Sequence, residues 1–207
     1  MILKTDEIAH LLSLPHEKAA DRLYIRPQPS IESLQESGAA SVDLRLGTWF
    51  VTLRRHRLPV LDVIDEPSTE TEDSRLSKTR YVPFGEKFFL HPRSFVLGVT
   101  LEWLRFPNNL AGYVVGRSSW GRRGLIIATA AGVHPGFTGC LTLELTNVGE
   151  VPIAVMPGMT ICQLFIHQVQ TNSPLLDRSG LVGLRQPKVG RIELDAIARK
   201  LAGAQIS

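Results

Sequence analysis

The chain has 207 residues, 43% hydrophobic and 21% charged, with a formal net charge of +3 and a pI near 9.1. This fits one globular domain with a real core, and no apolar run is long enough to span a bilayer. Mild basicity suits a polyanionic small molecule, but no Lys/Arg block exceeds two residues and no aromatics interleave with them, so no nucleic-acid partner is expected.

Cys140 and Cys162 are the only cysteines, which implies no disulfide framework and a reducing compartment. Met1–Glu7 lacks a basic segment followed by an apolar run. The expectation is a soluble, cytoplasmic protein without a membrane partner. No internal repeat is visible. Residues 1–207 read as a single domain, with about 171–207 a tail able to close a site.

Taken in order, Thr5–Leu12 reads as a short helix, with Thr5 as N-cap and acids in its first turn. Leu23–Pro29 is extended and broken by Pro27 and Pro29. Val42–Leu53 alternates and reads as a strand. Asp43 there has two readings, a partner for Arg117 or a turn cap. Arg54–Arg57 is the densest basic spot, read as a solvated strand end. Glu66–Lys78 is polar and charged, hence a flexible loop. Tyr81–Phe84, Lys87–His91 and Ser94–Glu102 give three short strands separated by Pro and Gly. Leu110–Gly116, Leu141–Thr146, Pro152–Val155 and Thr160–Val169 continue the pattern. Ile192–Leu201 reads as an amphipathic helix, with Leu194, Ile197 and Leu201 on one face. Many short strands with Pro/Gly punctuation indicate an all-β barrel or jelly roll.

Chemistry concentrates between Gly116 and His167. An Arg and two hydroxyls in Gly116-Arg117-Ser118-Ser119 suit phosphate oxygens, because guanidinium and hydroxyl donors complement an oxyanion. Gly116, Gly121 and Gly124 would let backbone approach a ligand. In Cys140–Thr146 apolar and polar residues alternate strictly. Leu141, Leu143 and Leu145 therefore face a core, while Thr142, Glu144 and Thr146 face either solvent or a site. One of the two serines, Ser119, is read as a helix cap. His91 is read as a packed turn residue, and His167 is assigned no role.

These motifs resemble the dCTP deaminase branch of the trimeric dUTPase-like superfamily. The resemblance rests on Gly116, Arg117, Ser118, Ser119, Arg122, Gly124 and Leu125, then on a Pro-Gly-Phe loop, the Leu-Glu-Leu strand, and Pro157-Gly158-Met159. Upstream, Ala40–Gly47, Leu90-His91-Pro92 and Thr100-Leu101-Glu102 match in order, and the likeness covers about residues 1–170. It implies an all-β, dUTPase-like distorted barrel with short terminal helices, a homotrimer, and sites at subunit interfaces.

The resemblance further implies hydrolytic deamination of a deoxycytidine nucleotide, dCTP to dUTP plus ammonia. Zinc deaminases need an H-x-E with P-C-x-x-C. This chain has no C-x-x-C, so no zinc is expected. A metal-free route needs a carboxylate that takes a proton from water and passes it on. Glu144 is the candidate. Ser118 would hold or polarise the water, and Arg122 would contact the carboxylate or a phosphate. Arg117 and Ser119 would bind phosphates, and the backbone of Ala130 and Ala131 would read the base. His134, Gly136, Phe137 and Gln163 complete the expected nucleotide contacts. Magnesium would ride on the triphosphate, since no dedicated metal cage is visible.

Two departures stand out. The family loop carries Asp before Pro-Gly where this chain has His134, and the loop is one residue shorter, with Gly132 where many bacterial deaminases have Arg. The family tail carries Lys-Tyr-x-x-Gln near a Gly-Pro; here Arg185, Gln186 and Lys188 take that place and the Tyr is absent. A nucleotide-binding or regulatory protein on the same fold is the alternative, and a dUTP diphosphatase is disfavoured by His134.

Overall fold

The computed structural model describes residues 1–18, 20–53, 77–128, 132–170, 183–189 and 197. Helix α1 spans Thr5–Ser13, with Asp6 and Glu7 in its first turn, where carboxylates complement the helix dipole. The N-cap is Lys4, not Thr5 as expected. Thr5 is buried and its hydroxyl turns away to the Ala39 carbonyl at 3.2 Å, so it cannot cap. Helix α2, Ile31–Ser37, was not anticipated. Ser30 Oγ accepts from Ser33 N at 3.2 Å, and Gly38 ends the helix at φ +60. Both capping signals stand in the sequence, but a single buried residue, Leu34, leaves no apolar period to detect.

The remaining elements are strands: β1 (Tyr24–Arg26), β2 (Val42–Arg45), β3 (Trp49–Leu53), β4 (Ser77–Tyr81), β5 (Phe88–Leu90), β6 (Phe95–Arg105), β7 (Leu110–Gly116), β8 (Leu125–Ile127), β9 (Gly132–Val133), β10 (Thr138–Asn147), β11 (Ile153–Val155) and β12 (Thr160–Gln168), with a short helix α3 (Ser118–Gly121) after β7. Among the described residues all strand pairings are antiparallel. One sheet runs β4-β3-β6-β10-β8, with β1 also on β6; a second runs β2-β12-β7-β9; β5 and β11 form a small third. This is the expected mainly-β architecture.

The predicted strand Val42–Leu53 is two strands in different sheets. The chain crosses at Gly47, whose N–H donates to Val99 O at 2.7 Å. A Cβ there would stand 2.9 Å from Val99 Cγ1 and 3.0 Å from two carbonyl oxygens, so only glycine lets the crossing pass. The strand expected over Tyr81–Phe84 ends at Tyr81 instead. Pro83 brings no N–H to a ladder, and Gly85 at φ +87 turns the chain. Ser77 and Lys78, expected in a loop, begin β4. Arg54–Arg57, the rest of that loop, and the terminal helix apart from Ile197 lie outside the described residues.

The core lies between the two larger sheets, where Leu44, Leu143, Leu145, Leu164 and Ile166 are fully buried. Phe50 and Phe88 stack with centroids 4.4 Å apart. Three buried polar side chains, Glu102, Asn147 and Thr100, are paired, as low dielectric demands. Glu102, 2% exposed, accepts from Arg45 N at 2.8 Å and from Arg45 Nε at 2.7 Å. Asn147, fully buried, donates to Leu90 O and Val151 O and accepts from Gly149 N. Thr100 Oγ1 takes the Leu141 N–H at 2.9 Å, where a bulge interrupts the β6–β10 ladder. Among the described residues no helix is long and apolar enough to cross a membrane.

Candidate active site

β10 carries the acid. Its side chains alternate between half-buried and buried from Thr138 to Asn147, so Glu144 shares one face with Thr142 and Cys140 while Leu143 and Leu145 enter the core. Across the ladder Glu144 stands opposite Leu97, which is 6% exposed. An apolar neighbour of this kind lowers the local dielectric around a carboxylate. Among the described residues the Glu144 carboxylate has no hydrogen-bond or ion-pair partner, leaving its oxygens for a ligand.

The free edge of β10 is divided. Its beginning is covered by the tail, with Gly183 N donating to Thr138 O at 2.6 Å and Cys140 N to Leu184 O at 2.9 Å. Its end pairs with β8, where Ala128 N reaches Glu144 O at 2.9 Å. Strand alternation directs the Thr142 amide and carbonyl to the same edge, between these two coverings. The backbone expected to read the base, at Ala130 and Ala131, lies outside the described residues; Thr142, expected to face solvent or a site, has its side chain on the Glu144 face.

The Arg-Ser-Ser segment folds as a strand end followed by one helical turn. Arg117 is extended and Ser118–Gly121 form α3. Ser119 is no cap: the N-cap position falls on Arg117, and both serines lie inside the turn with exposed side chains. Trp120 Nε1 donates to Thr160 O at 2.9 Å, pinning the turn to β12. Gly124 at φ +88 ends the turn; a Cβ there would meet Gly149 N at 2.9 Å.

Arg117 Nη1 forms an ion pair with Asp43 Oδ2, so the first of the two readings of Asp43 holds. Gln163 of β12 lies between Asp43 and Val115 in the register, which brings Gln163 to the same patch. Arg117, Ser119, Trp120, Arg123 and Thr160 line a recess of about 550 Å3. Arg123, whose Nη1 reaches Ser119 O at 2.7 Å, was not singled out from sequence; Arg122 is exposed at the end of the same turn.

Other expected residues sit elsewhere. His134-Pro135-Gly136-Phe137 is a tight turn, closed by Phe137 N to His134 O at 3.1 Å, with Pro preceding Gly136 at φ +76. His134 is exposed, and Phe137 packs against the core. This turn enters β10 six residues before Glu144, roughly 20 Å along the strand. Arg185 stacks its guanidinium 5.0 Å from the Trp103 ring centroid, and Lys188 is exposed nearby in the chain. His91, expected to pack, is exposed; its carbonyl holds the turn by accepting from Ser94 Oγ at 2.6 Å.

The Arg117 segment and Glu144 emerge on different faces. Gly116 packs against Ile127, which pairs with the fully buried Leu145, whereas Glu144 points the other way. Among the described residues no three His, Cys, Asp or Glu side chains cluster to hold a metal. Burial pushes the Cys162 thiol up to about 12 and the Cys140 thiol to about 11, the latter opposed by Arg185.

A distorted β-barrel with an acid-bearing strand and an arginine-serine turn is a dUTPase-like fold. It superposes on the 2'-deoxycytidine 5'-triphosphate deaminase of Agrobacterium tumefaciens with a TM-score of 0.55 at 22% identity, covering 80% of this chain and 46% of that one. The chain belongs to the dCTP deaminase-like family, whose model matches residues 2–169. Among its relatives are the dUMP-forming dCTP deaminase of Methanobrevibacter smithii, 35% identical over 86% of this chain and 92% of that protein, and the dCTP deaminase of Halorubrum lacusprofundi, 41% identical over 72% and 71%.

Proposed function

We propose that the protein is an enzyme that deaminates dCTP, adding water at C4 of cytosine and releasing ammonia, with Glu144 as the proton-transfer group. The observation that carries this is the half-buried Glu144 carboxylate, unpaired among the described residues and set beside an open stretch of strand edge at Thr142. In this reading the base pairs its edge with the Thr142 backbone. Glu144 takes a proton from water as the oxygen bonds to C4 and passes it to N3 of the ring. The same carboxylate then takes the proton of the new C4 hydroxyl and delivers it to the exocyclic nitrogen, the C4–N bond breaks, and ammonia departs as the C4 carbonyl forms. One water is consumed and the triphosphate stays intact, giving dUTP.

Ser118 positions the water and Arg122 holds the carboxylate or a phosphate oxygen; Arg117, Ser119 and Gln163 grip the phosphates. Arg117 and Glu144 facing opposite sides of one chain supports a site completed between copies, here a homotrimer. Exposed Val115, Tyr113, Phe95 and Ile126 are apolar groups such an assembly would cover. Magnesium enters as part of the nucleotide substrate, bound to its phosphates. The soluble reading extends to a cytoplasmic location, where the nucleotide pool lies.

The relatives named above divide on product, one being dUMP-forming. Release of dUMP requires a second water attacking phosphorus, and the exposed His134 offers an imidazole, not a carboxylate, to orient it. We therefore assign dUTP as product. A second reading, nucleotide binding without turnover, is favoured by His134 and by the tail's lack of tyrosine. Product analysis with magnesium and dCTP or dUTP, with Glu144→Gln alongside, separates these. Ammonia and dUTP lost in Glu144→Gln support the deaminase; dUMP would overturn the product assignment; binding without products would establish the second reading.

A further inference from the structure

A cleft bordered by the tail includes neither Glu144 nor any residue of the Arg117 recess. It measures about 650 Å3, within the range of ligand pockets, and opens where β1, β3, β6 and β10 meet. Trp49, Trp103 and Pro27 give it flat apolar walls, Cys140 sits in its floor, and Arg26 and Arg185 stand at its rim. Cys140 lies four residues before Glu144, about 13 Å along β10.

Charge gathers at one end of this cleft. Arg26 is paired in register with Trp103, and Tyr24 with Arg105. The Arg22 guanidinium lies 4.8 Å and that of Arg105 5.5 Å from the Tyr24 ring centroid. Four guanidiniums, of Arg22, Arg26, Arg105 and Arg185, are thus gathered at these two cross-strand pairs, and those of Arg26 and Arg185 line the cleft itself. Among the described residues no carboxylate lines the cleft; Glu102, next in sequence to Leu101 and Trp103, is turned inward onto Arg45. Arg22 Nε is a buried donor with no acceptor among the described residues. Arg26 Nη1 donates to Gln28 Oε1 at 2.8 Å, which leaves its other donors available.

Stacked guanidiniums keep their N–H edges outward, the geometry that accepts phosphate oxygens, while indole walls accept a flat heteroaromatic ring. We propose that this cleft binds a nucleoside phosphate other than the reacting nucleotide, its ring against Trp49 and Pro27 and its phosphates on Arg26 and Arg185. This is an effector site, and it goes beyond the deaminase reading without depending on it. A cleft of about single-nucleotide size favours a mononucleotide over a polymer.

The chain's three tryptophans are Trp49, Trp103 and Trp120. Trp120→Phe leaves only the two that line the cleft, so its fluorescence reports this site alone. ADP is the probe, since a purine nucleotide carries ring and phosphates but no cytosine. Saturable quenching by ADP is expected, undiminished by excess dCTP and by Arg117→Ala, and weakened about tenfold or more in Arg26→Gln/Arg185→Gln by loss of charge-assisted hydrogen bonds. Should the double variant lose its melting transition, Arg26→Gln alone, an exposed change, must weaken binding in the same direction. Absence of quenching, displacement by dCTP, loss in Arg117→Ala, or tighter binding of a ten-residue oligodeoxythymidylate than of ADP would each overturn the proposal. Ammonia release from dCTP, measured in parallel, judges the deaminase reading separately.

Discussion

Glu144 gains its character from the residues beside it. Leu143 and Leu145 lock the strand into the core, so the carboxylate is held on a rigid element and not on a loop. Replacing it by glutamine keeps the shape and removes the base. Ammonia formation from dCTP is expected to fall about 10²- to 10⁴-fold, with nucleotide affinity by calorimetry nearly unchanged. An equal fall in affinity would make Glu144 a binding group only. The two thiols make a separate prediction. Burial raises both above the ordinary thiol value, Cys162 to about 12, while in the unfolded chain they ionise near their usual pKa. Unfolding thus releases thiol protons above about pH 9, and the stability that neutral burial contributes is lost as pH climbs toward 12. Stability measured by urea melts should fall across that window, and less steeply in Cys162→Ala. A variant with the same slope would show that other groups control the alkaline limb.

At the scale of elements, what the sequence revealed and what it hid have distinct physical causes. β10 was legible residue by residue because its inner and outer faces differ in polarity, and period-two alternation survives without any partner being known. The tight turns at Pro135-Gly136 and Pro157-Gly158 were legible because positive φ, +76 and +88, demands glycine. The crossing at Gly47 and the tail's docking were not, since each is set by distant chain. Gly139 is the example: at φ +141, a Cβ on it would stand 3.2 Å from Leu184 O. Nothing near Gly139 in sequence announces Leu184. Gly139→Ala is therefore expected to loosen the tail, seen as faster amide exchange at Cys140 and earlier proteolysis beyond residue 182, at a cost to global stability of about 1–3 kcal/mol. Unchanged exchange at Cys140 would mean the tail is held by other contacts. The Asp43–Arg117 pair was foreseen as one of two readings, whereas Arg123 stayed hidden because a solvated arginine next to Arg122 has no local mark of its own.

For the whole molecule, the joint between the two large sheets is both apolar and ionic. Leu46 bridges to Thr100, and one residue earlier Arg45 meets Glu102 through backbone and guanidinium together. Glu102 is buried while the Arg45 side chain reaches solvent, so the loss is that of the charge-assisted hydrogen bonds and not of a stranded buried charge. Glu102→Ala is expected to lose about 1.5–3 kcal/mol, a drop in melting temperature of roughly 3–12 °C for a chain of this size. A loss below about 1 kcal/mol would show that water replaces the carboxylate. The fold was assigned from sequence with its sheets unplaced, since sheet partners are long-range facts and strand composition is a local one. The same long-range pairing bears on solubility. Gly183 and Leu184 occupy the beginning of the β10 edge that β8 leaves unpaired, so this short segment acts as a guard on a strand rich in Leu and Thr. An uncovered edge of that kind is a template for another molecule's strand. Truncating the chain before residue 183 should therefore yield a protein that folds yet self-associates into strand-paired aggregates at high concentration, read by light scattering against the full-length chain.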